Sequence, residues 1–181
     1  MLFQFNITLT EEDYLAFNQF HAFESAQGKK MVTRARLFIT FLVMFALTVI
    51  VLVRGLTLYS AIVTVFLGLV HLIYMLVYKK ILIRSLKAQI KRMEKTGRLP
   101  YDSESTLAFY EDKLVETSAS TCVEQKYSII EKMCVVKDRY IYLYNSSTGA
   151  YILPISQIQA QANWEDLMAF LRQICNTVEY Y

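Results

Sequence analysis

Two long apolar runs, Leu37 to Val53 and Leu58 to Tyr78, stand apart by only Arg54, Gly55, Leu56 and Thr57. At the helical rise of about 1.5 Å per residue the second run spans about 32 Å, enough for a hydrocarbon core of about 30 Å. The first reaches about 26 Å, and Met31, Val32 and Thr33 with snorkelling Arg34 and Arg36 extend it to the headgroup level. The pattern predicts a transmembrane hairpin, with spans over about 35–53 and 58–78 inside a segment 31–80. Ahead of it, Phe3, Phe5, Ile7 and Leu9 alternate with Gln4, Asn6 and Thr8, the period of a half-buried strand. A helix follows: Thr10 is its N-cap, Asp13 takes the capping-box position, Glu11 and Glu12 complement the positive helix end, and Gly28 is its expected stop.

Behind the hairpin, Ile83, Leu86, Ile90 and Met93 recur at three and four residues among Arg84, Lys87, Lys91, Arg92 and Lys95. This predicts an amphipathic, basic stalk helix over 81–98, ending near Gly97. From Tyr101 the pattern turns to strands. Ser105 to Glu111 and Lys113 to Thr121 form one hairpin, Tyr127 to Val136 and Arg139 to Asn145 a second, and Ala150 to Leu153 a last strand that Pro154 ends. Asn163 then caps a helix with Leu167, Met168, Leu171, Ile174 and Cys175 on one face. The expected fold class is α+β: an N-terminal strand and helix (1–30), a two-helix membrane hairpin, a stalk, and a domain over 99–181 made of an antiparallel sheet closed by a C-terminal helix. The apolar face of Phe3, Phe5 and Ile7 is expected to join that sheet.

Charge sharpens the placement. The chain sums to +3, but residues 1–28 carry four acids and no Lys or Arg, and residues 99–181 carry eleven acids against six bases. The bases concentrate beside the hairpin: Lys29, Lys30, Arg34 and Arg36 before it, and Lys79, Lys80, Arg84, Lys87, Lys91, Arg92, Lys95 and Arg98 after it. A single Arg54 stands in the loop between the spans, so the positive-inside rule puts both termini in the cytoplasm of a cell membrane. The first apolar run begins too far along the chain for a cleaved signal peptide. Lys29, Lys30, Arg34, Arg36, Lys79, Lys80, Arg84, Lys87 and Lys91 are placed to meet anionic lipid headgroups at about 1 kcal/mol each. Acidic soluble parts exclude nucleic acid as a partner.

Candidate chemistry is sparse. Cys122, Cys134 and Cys175 are odd in number, form no CxxC and have no histidine cluster beside them, so no metal site and no disulfide framework is indicated. No GxSxG, HExxH or phosphate-binding glycine loop is present, so no catalytic residue and no cofactor is expected and the chain reads as a non-enzyme. Inside the membrane, Ser60, Thr64, Gly68 and His71 fall within about 80° of one another on a helical wheel. Thr40, Met44 and Thr48 form a matching stripe on the first span. These stripes are expected to pack, with a Thr40 to His71 hydrogen bond of about 0.6 kcal/mol; the functional alternative is a proton or ion relay through His71. Tyr140, Tyr142 and Tyr144 share one strand face, a candidate surface for an unknown protein partner if exposed and a core face if covered.

The stretch Val135-Val136-Lys137-Asp138-Arg139-Tyr140-Ile141-Tyr142-Leu143-Tyr144, running into Ala150-Tyr151-Ile152-Leu153-Pro154, resembles the YcxB-like family of bacterial membrane proteins. The resemblance implies a two-span hairpin and a C-terminal domain like a bacterial pleckstrin-homology module, and it carries over no catalytic residues. Members often follow the proline with basic residues and a phenylalanine; here Ile155, Ser156, Gln157 and Ile158 stand instead. The expected function is that of a membrane-anchored, non-enzymatic adaptor or regulatory protein. The alternative is a transport or bacteriocin-immunity component acting through the hairpin, and the stalk leaves room for a homo-oligomer.

Overall fold

The computed structural model describes residues 1–97, 99 and 101–181; Arg98 of the basic flank lies outside the described residues. Strand β1 (Phe3–Thr8) turns Phe5 and Ile7 into the core and Gln4, Asn6 and Thr8 outward. Helix α1 (Glu11–Phe23) opens with a reciprocal cap: the Asp13 N–H donates to Thr10 Oγ1 at 3.2 Å and the Thr10 N–H donates to Asp13 Oδ2 at 2.9 Å.

Gly28 does not stop this helix. Helix α1 ends at Phe23, and Ser25 caps a new helix, α2 (Ala26–Arg54), accepting from the Gly28 N–H at 3.0 Å while donating to the His21 carbonyl at 2.7 Å. Gly28 sits in the first turn of α2, where a Cβ would fall 1.9 Å from the His21 carbonyl oxygen. The glycine therefore serves a close approach of two backbones at a helix corner.

Helix α3 (Leu58–Lys95) runs without a break through the second apolar run and the basic stretch after it. The short link turns at Gly55, whose φ is +67°. Ser60 secures the turn: its hydroxyl accepts from the Thr57 N–H at 2.9 Å and donates to the Gly55 carbonyl at 2.8 Å. Half-covered positions recur at three and four residues, Val32, Arg36, Thr40, Val43, Leu47 and Ile50 on α2 and Thr64, Leu67, His71, Tyr74 and Tyr78 on α3. This is the spacing of a narrow two-helix seam. Outside it the helices expose Phe41, Phe45, Leu52, Ile62, Phe66 and Ile73. Both are long and apolar enough to cross a membrane.

The remaining elements are β2 (Glu104–Phe109), β3 (Lys113–Ser118), β4 (Cys122–Lys126), β5 (Lys132–Val136), β6 (Tyr140–Tyr144), β7 (Ala150–Pro154), α4 (Ile155–Gln159), α5 (Trp164–Ile174) and β8 (Val178–Tyr180). They build two four-stranded sheets, ordered β1-β2-β3-β4 and β7-β6-β5-β8, instead of the single antiparallel sheet expected. Strands β4 and β8 are additions to the expected set, and β8 pairs parallel with β5. The β5–β6 turn places Lys137 and Asp138 at φ of 49° and 51°, a tight left-handed turn matched to strand twist.

Strand β1 pairs antiparallel with β2, Phe5 opposite Leu107 and Phe3 opposite Phe109. Phe5, Ile7, Leu107, Phe109 and Leu114 from the first sheet meet Met133, Val135, Ile141, Leu143 and Leu153 from the second. Helix α5 closes this core with Leu167, Met168 and Leu171, its first turn held by Asn163, which accepts from the Glu165 N–H at 2.9 Å. The outer edge of β1 is covered by side chains. The Thr8 N–H donates to Gln157 Oε1 at 2.9 Å, and Gln157 Nε2 returns a bond to the Thr8 carbonyl at 2.8 Å. The chain divides into two compact units, residues 1–18 with 93–181, and residues 19–92.

Candidate functional site

Across the first sheet, Phe5, Leu107, Glu116 and Val123 stand opposite one another in register, so they share one face. That face is apolar at β1 and β2 and becomes polar at β3, where Glu116 occupies the inward position next after Leu114. A carboxylate at a core-facing strand position breaks the local pattern, and such breaks concentrate at functional sites. Here it opens a cleft of about 340 Å³.

Strand β4 lines the cleft with Val123 and Gln125, and β7 with Tyr151 and Ile152. The two strands belong to different sheets and are joined by side chains: the Tyr151 hydroxyl donates to Gln125 Oε1 at 2.8 Å, and Asn145 Nδ2 reaches the same oxygen at 3.5 Å. Leu9, Tyr14 and Phe17 come from the N-terminal segment, and Tyr101, Asp102 and Ser105 from the approach to β2. The Tyr14 and Tyr101 rings stack at 4.8 Å between centroids and 29° between planes.

The field in the cleft is negative. Burial, and then the charge of Asp102, push the Glu116 carboxyl above its usual range, against a hydrogen bond from Ser105. Burial followed by Glu94, Glu11 and Asp13 raises the Tyr101 phenol, and burial followed by Glu116 pushes Tyr151 up to about 12. None of the described lining residues is a Lys, Arg or His. Sequence patterning does not single out these acids, because Glu116 lies in a strand of mixed character; the one sign it offers is the register of Glu116 with Leu114.

The tyrosine ladder is not a free surface. Tyr140, Tyr142 and Tyr144 are 7%, 1% and 2% exposed. Phe17 of α1 meets Tyr142 edge-on at 5.1 Å, and the Tyr140 hydroxyl donates to Asp13 Oδ1 at 2.7 Å. The second sheet is thus apolar on both faces because one faces the core and the other is covered by α1.

In the hairpin, Thr40 Oγ1 lies 3.2 Å from His71 Nε2 and donates to the Arg36 carbonyl at 3.0 Å. Thr40 and His71 thus stand within hydrogen-bond distance across the two helices. Thr64 shares the seam and Ser60 serves the turn. Thr48 and Gly68 lie off the seam and are exposed; Thr48 donates back to the Met44 carbonyl, and a Cβ at Gly68 would meet nothing within 4 Å. The reason is the three-and-four spacing, which carries the seam from Thr40 to Leu47 and from Thr64 to Leu67.

Of the flanking bases, the Arg36 guanidinium lies 4.7 Å over the Tyr78 ring and the Lys79 ammonium 5.2 Å over Phe23. Lys29, Lys30, Arg34, Lys80, Arg84, Lys87 and Lys91 are exposed. Among the described residues, no group of three or more His, Cys, Asp and Glu is arranged to hold a metal ion.

The architecture is that of an α+β chain carrying two helices able to span a membrane, with antiparallel and mixed sheets. Residues 109–171, from the end of β2 into α5, match the family model described as YcxB-like protein. The match includes the β5 to β7 stretch on which the sequence resemblance rests. No curated protein and no solved structure matches the chain.

Proposed function

We propose that this protein is a membrane-anchored, non-enzymatic adaptor or regulatory protein that presents a pleckstrin-homology-like two-sheet domain on the cytoplasmic side of the cell membrane. The observation that carries this reading is the pairing of β1 with β2. One strand precedes the hairpin and the other follows it, so their ladder supports the reading that both ends of the hairpin lie on the same side of the bilayer. The twelve flanking Lys and Arg against Arg54 in the loop supply the direction, and the exposed bases meet anionic headgroups. Recognition falls to the cleft at Glu116, since the tyrosine ladder is covered.

The alternative, transport or bacteriocin immunity through the hairpin, would rest on the Thr40 and His71 pair. No Asp, Glu, Lys or Arg lies within Leu37 to Val53 or Leu58 to Tyr78 to continue a relay.

Thiol labelling tests the arrangement. Cys122 is exposed while Cys134 and Cys175 are buried, so Cys122 is a native reporter. A membrane-impermeant maleimide should reach Leu56→Cys in intact cells and Cys122 only after permeabilisation. Labelling of Cys122 in intact cells would overturn the topology. Photo-crosslinking from Val123 tests recognition: a discrete product lost in Glu116→Gln supports it, and an unchanged one removes the cleft from the reading.

A further inference from the structure

We infer that the cleft at Glu116 is a recognition site for an alkylammonium group. The inference rests on the cleft being the recognition site of the anchored domain, and it adds the chemistry of what enters.

Charge comes first. Two carboxylates, Glu116 and Asp102, face a cleft with no base among its described lining residues. Among the described residues, the ion pairs of Lys113 with Glu124 and of Lys132 with Glu179 involve neither. Ser105 donates to Glu116, and the Thr121 hydroxyl reaches Asp102 Oδ2 at 3.4 Å. These are neutral donors, and among the described residues no cation forms an ion pair with either carboxylate. A phosphate or carboxylate ligand would meet repulsion from both, so an anion is excluded on the sign of the field.

Shape and lining narrow the choice among cations. An ammonium carries three donors and no acceptor, and the cleft offers carboxylate oxygens on one side. The stacked Tyr14 and Tyr101 rings both line the cleft and supply an aromatic wall of the kind organic cations favour. Leu9, Leu107 and Val123 give an apolar lining for methylenes. A volume of about 340 Å³ exceeds what a bare ion fills and lies at the small end of organic-ligand sites. A metal ion would leave the aromatic and aliphatic lining without a role.

The ammonium can belong to a free amine or to a lysine side chain of a partner, and one experiment separates them. The ¹⁵N-labelled full-length protein in detergent micelles is titrated with n-butylammonium, with neutral n-butanol, and with a short lysine peptide and its Nε-acetylated form. Saturable shifts of the Glu116, Val123 and Gln125 amides by n-butylammonium and not by n-butanol are expected. Glu116→Gln, near-isosteric, should weaken that binding about tenfold, as loss of one charge-assisted contact does; Asp102→Asn should weaken it as well. Tighter binding of the lysine peptide than of its acetylated form assigns the protein source. Binding of n-butylammonium with the peptide excluded assigns a free amine. Equal shifts from n-butanol, no saturable shift, or unchanged affinity in both variants would overturn the proposal. The titration reads no membrane topology, so it can fail while the labelling result stands.

Discussion

Gln161 pairs with the backbone of Asn6 as a neighbouring strand would: its Oε1 accepts from the Asn6 N–H at 2.8 Å and its Nε2 donates to the Asn6 carbonyl at 2.9 Å. Gln157, one helical turn earlier, does the same at Thr8. Two carboxamides thus occupy the hydrogen-bonding row that an edge strand otherwise leaves open. Gln161→Ala should cost about 1–2 kcal/mol and speed hydrogen exchange at the Asn6 amide. Self-association through β1 should rise with it. An unchanged exchange rate at Asn6 would show the edge protected by other means.

The Tyr140 hydroxyl should contribute to stability through its bond to Asp13. Tyr140→Phe removes the 2.7 Å bond to Asp13 and should cost about 1–2 kcal/mol in a thermal melt. Burial, and then Asp13, push the Tyr140 phenol up to about 12. A folded value above the unfolded one near 10 means that this stability is complete below about pH 10 and is lost as pH rises through the folded value. Ultraviolet titration should therefore find this phenol ionising late, close to alkaline unfolding.

Glu116 should trade stability for its charge. Its folded value is raised, so its contribution is favourable below the ordinary carboxylate range and is lost as pH rises. Glu116→Gln should leave stability near pH 3 unchanged and raise it modestly at pH 7, since solvent reaches the cleft. A variant less stable than the parent at pH 7 would show that Glu116 has a compensating partner.

Within the hairpin, Thr40 and His71 should couple weakly. A double-mutant cycle with Thr40→Val and His71→Leu is expected to give about 0.6 kcal/mol, with insertion intact in all three variants. Loss of insertion in His71→Leu would mean that the histidine does more than pack.

Gly28 should tolerate nothing larger. Gly28→Ala places a methyl 1.9 Å from the His21 carbonyl oxygen, so the backbone at the α1 to α2 corner must move. The expected cost is at least about 2 kcal/mol, read as a lowered melting temperature and new protease sensitivity near Ser25.

Local rules made much of the fold legible. Alternation located β1, Thr10 with Asp13 and Asn163 located helix starts, and two apolar runs located the hairpin. What remained hidden depends on neighbours distant in sequence. The tyrosines of β6 carry the same pattern whether α1 covers them or not, and only Phe17 meeting Tyr142 decides. Strand β4, with Cys122, Val123 and Glu124 all exposed, has no alternation to read. Strand β8 has three residues and owes its place to β5, with Lys132 bound to Glu179 at 3.0 Å. Burial works to raise the Glu179 carboxyl, but hydrogen bonds from Lys132, Tyr181 and Cys134 hold it below the usual range. The Lys137 and Asp138 turn, by contrast, is legible from the strands on either side of it, and only its left-handed backbone lacks a glycine to announce it.

The pairing of Phe3 with Phe109 also sets an order of events during synthesis. Strand β1 leaves the ribosome long before β2 exists, and both apolar helices are made in between. The N-terminal segment must wait, with Phe3, Phe5 and Ile7 uncovered by β2, until both long helices have been made and the later strands emerge. An interval with apolar surface uncovered is built into this topology, and slowing translation between the two strands should lengthen it.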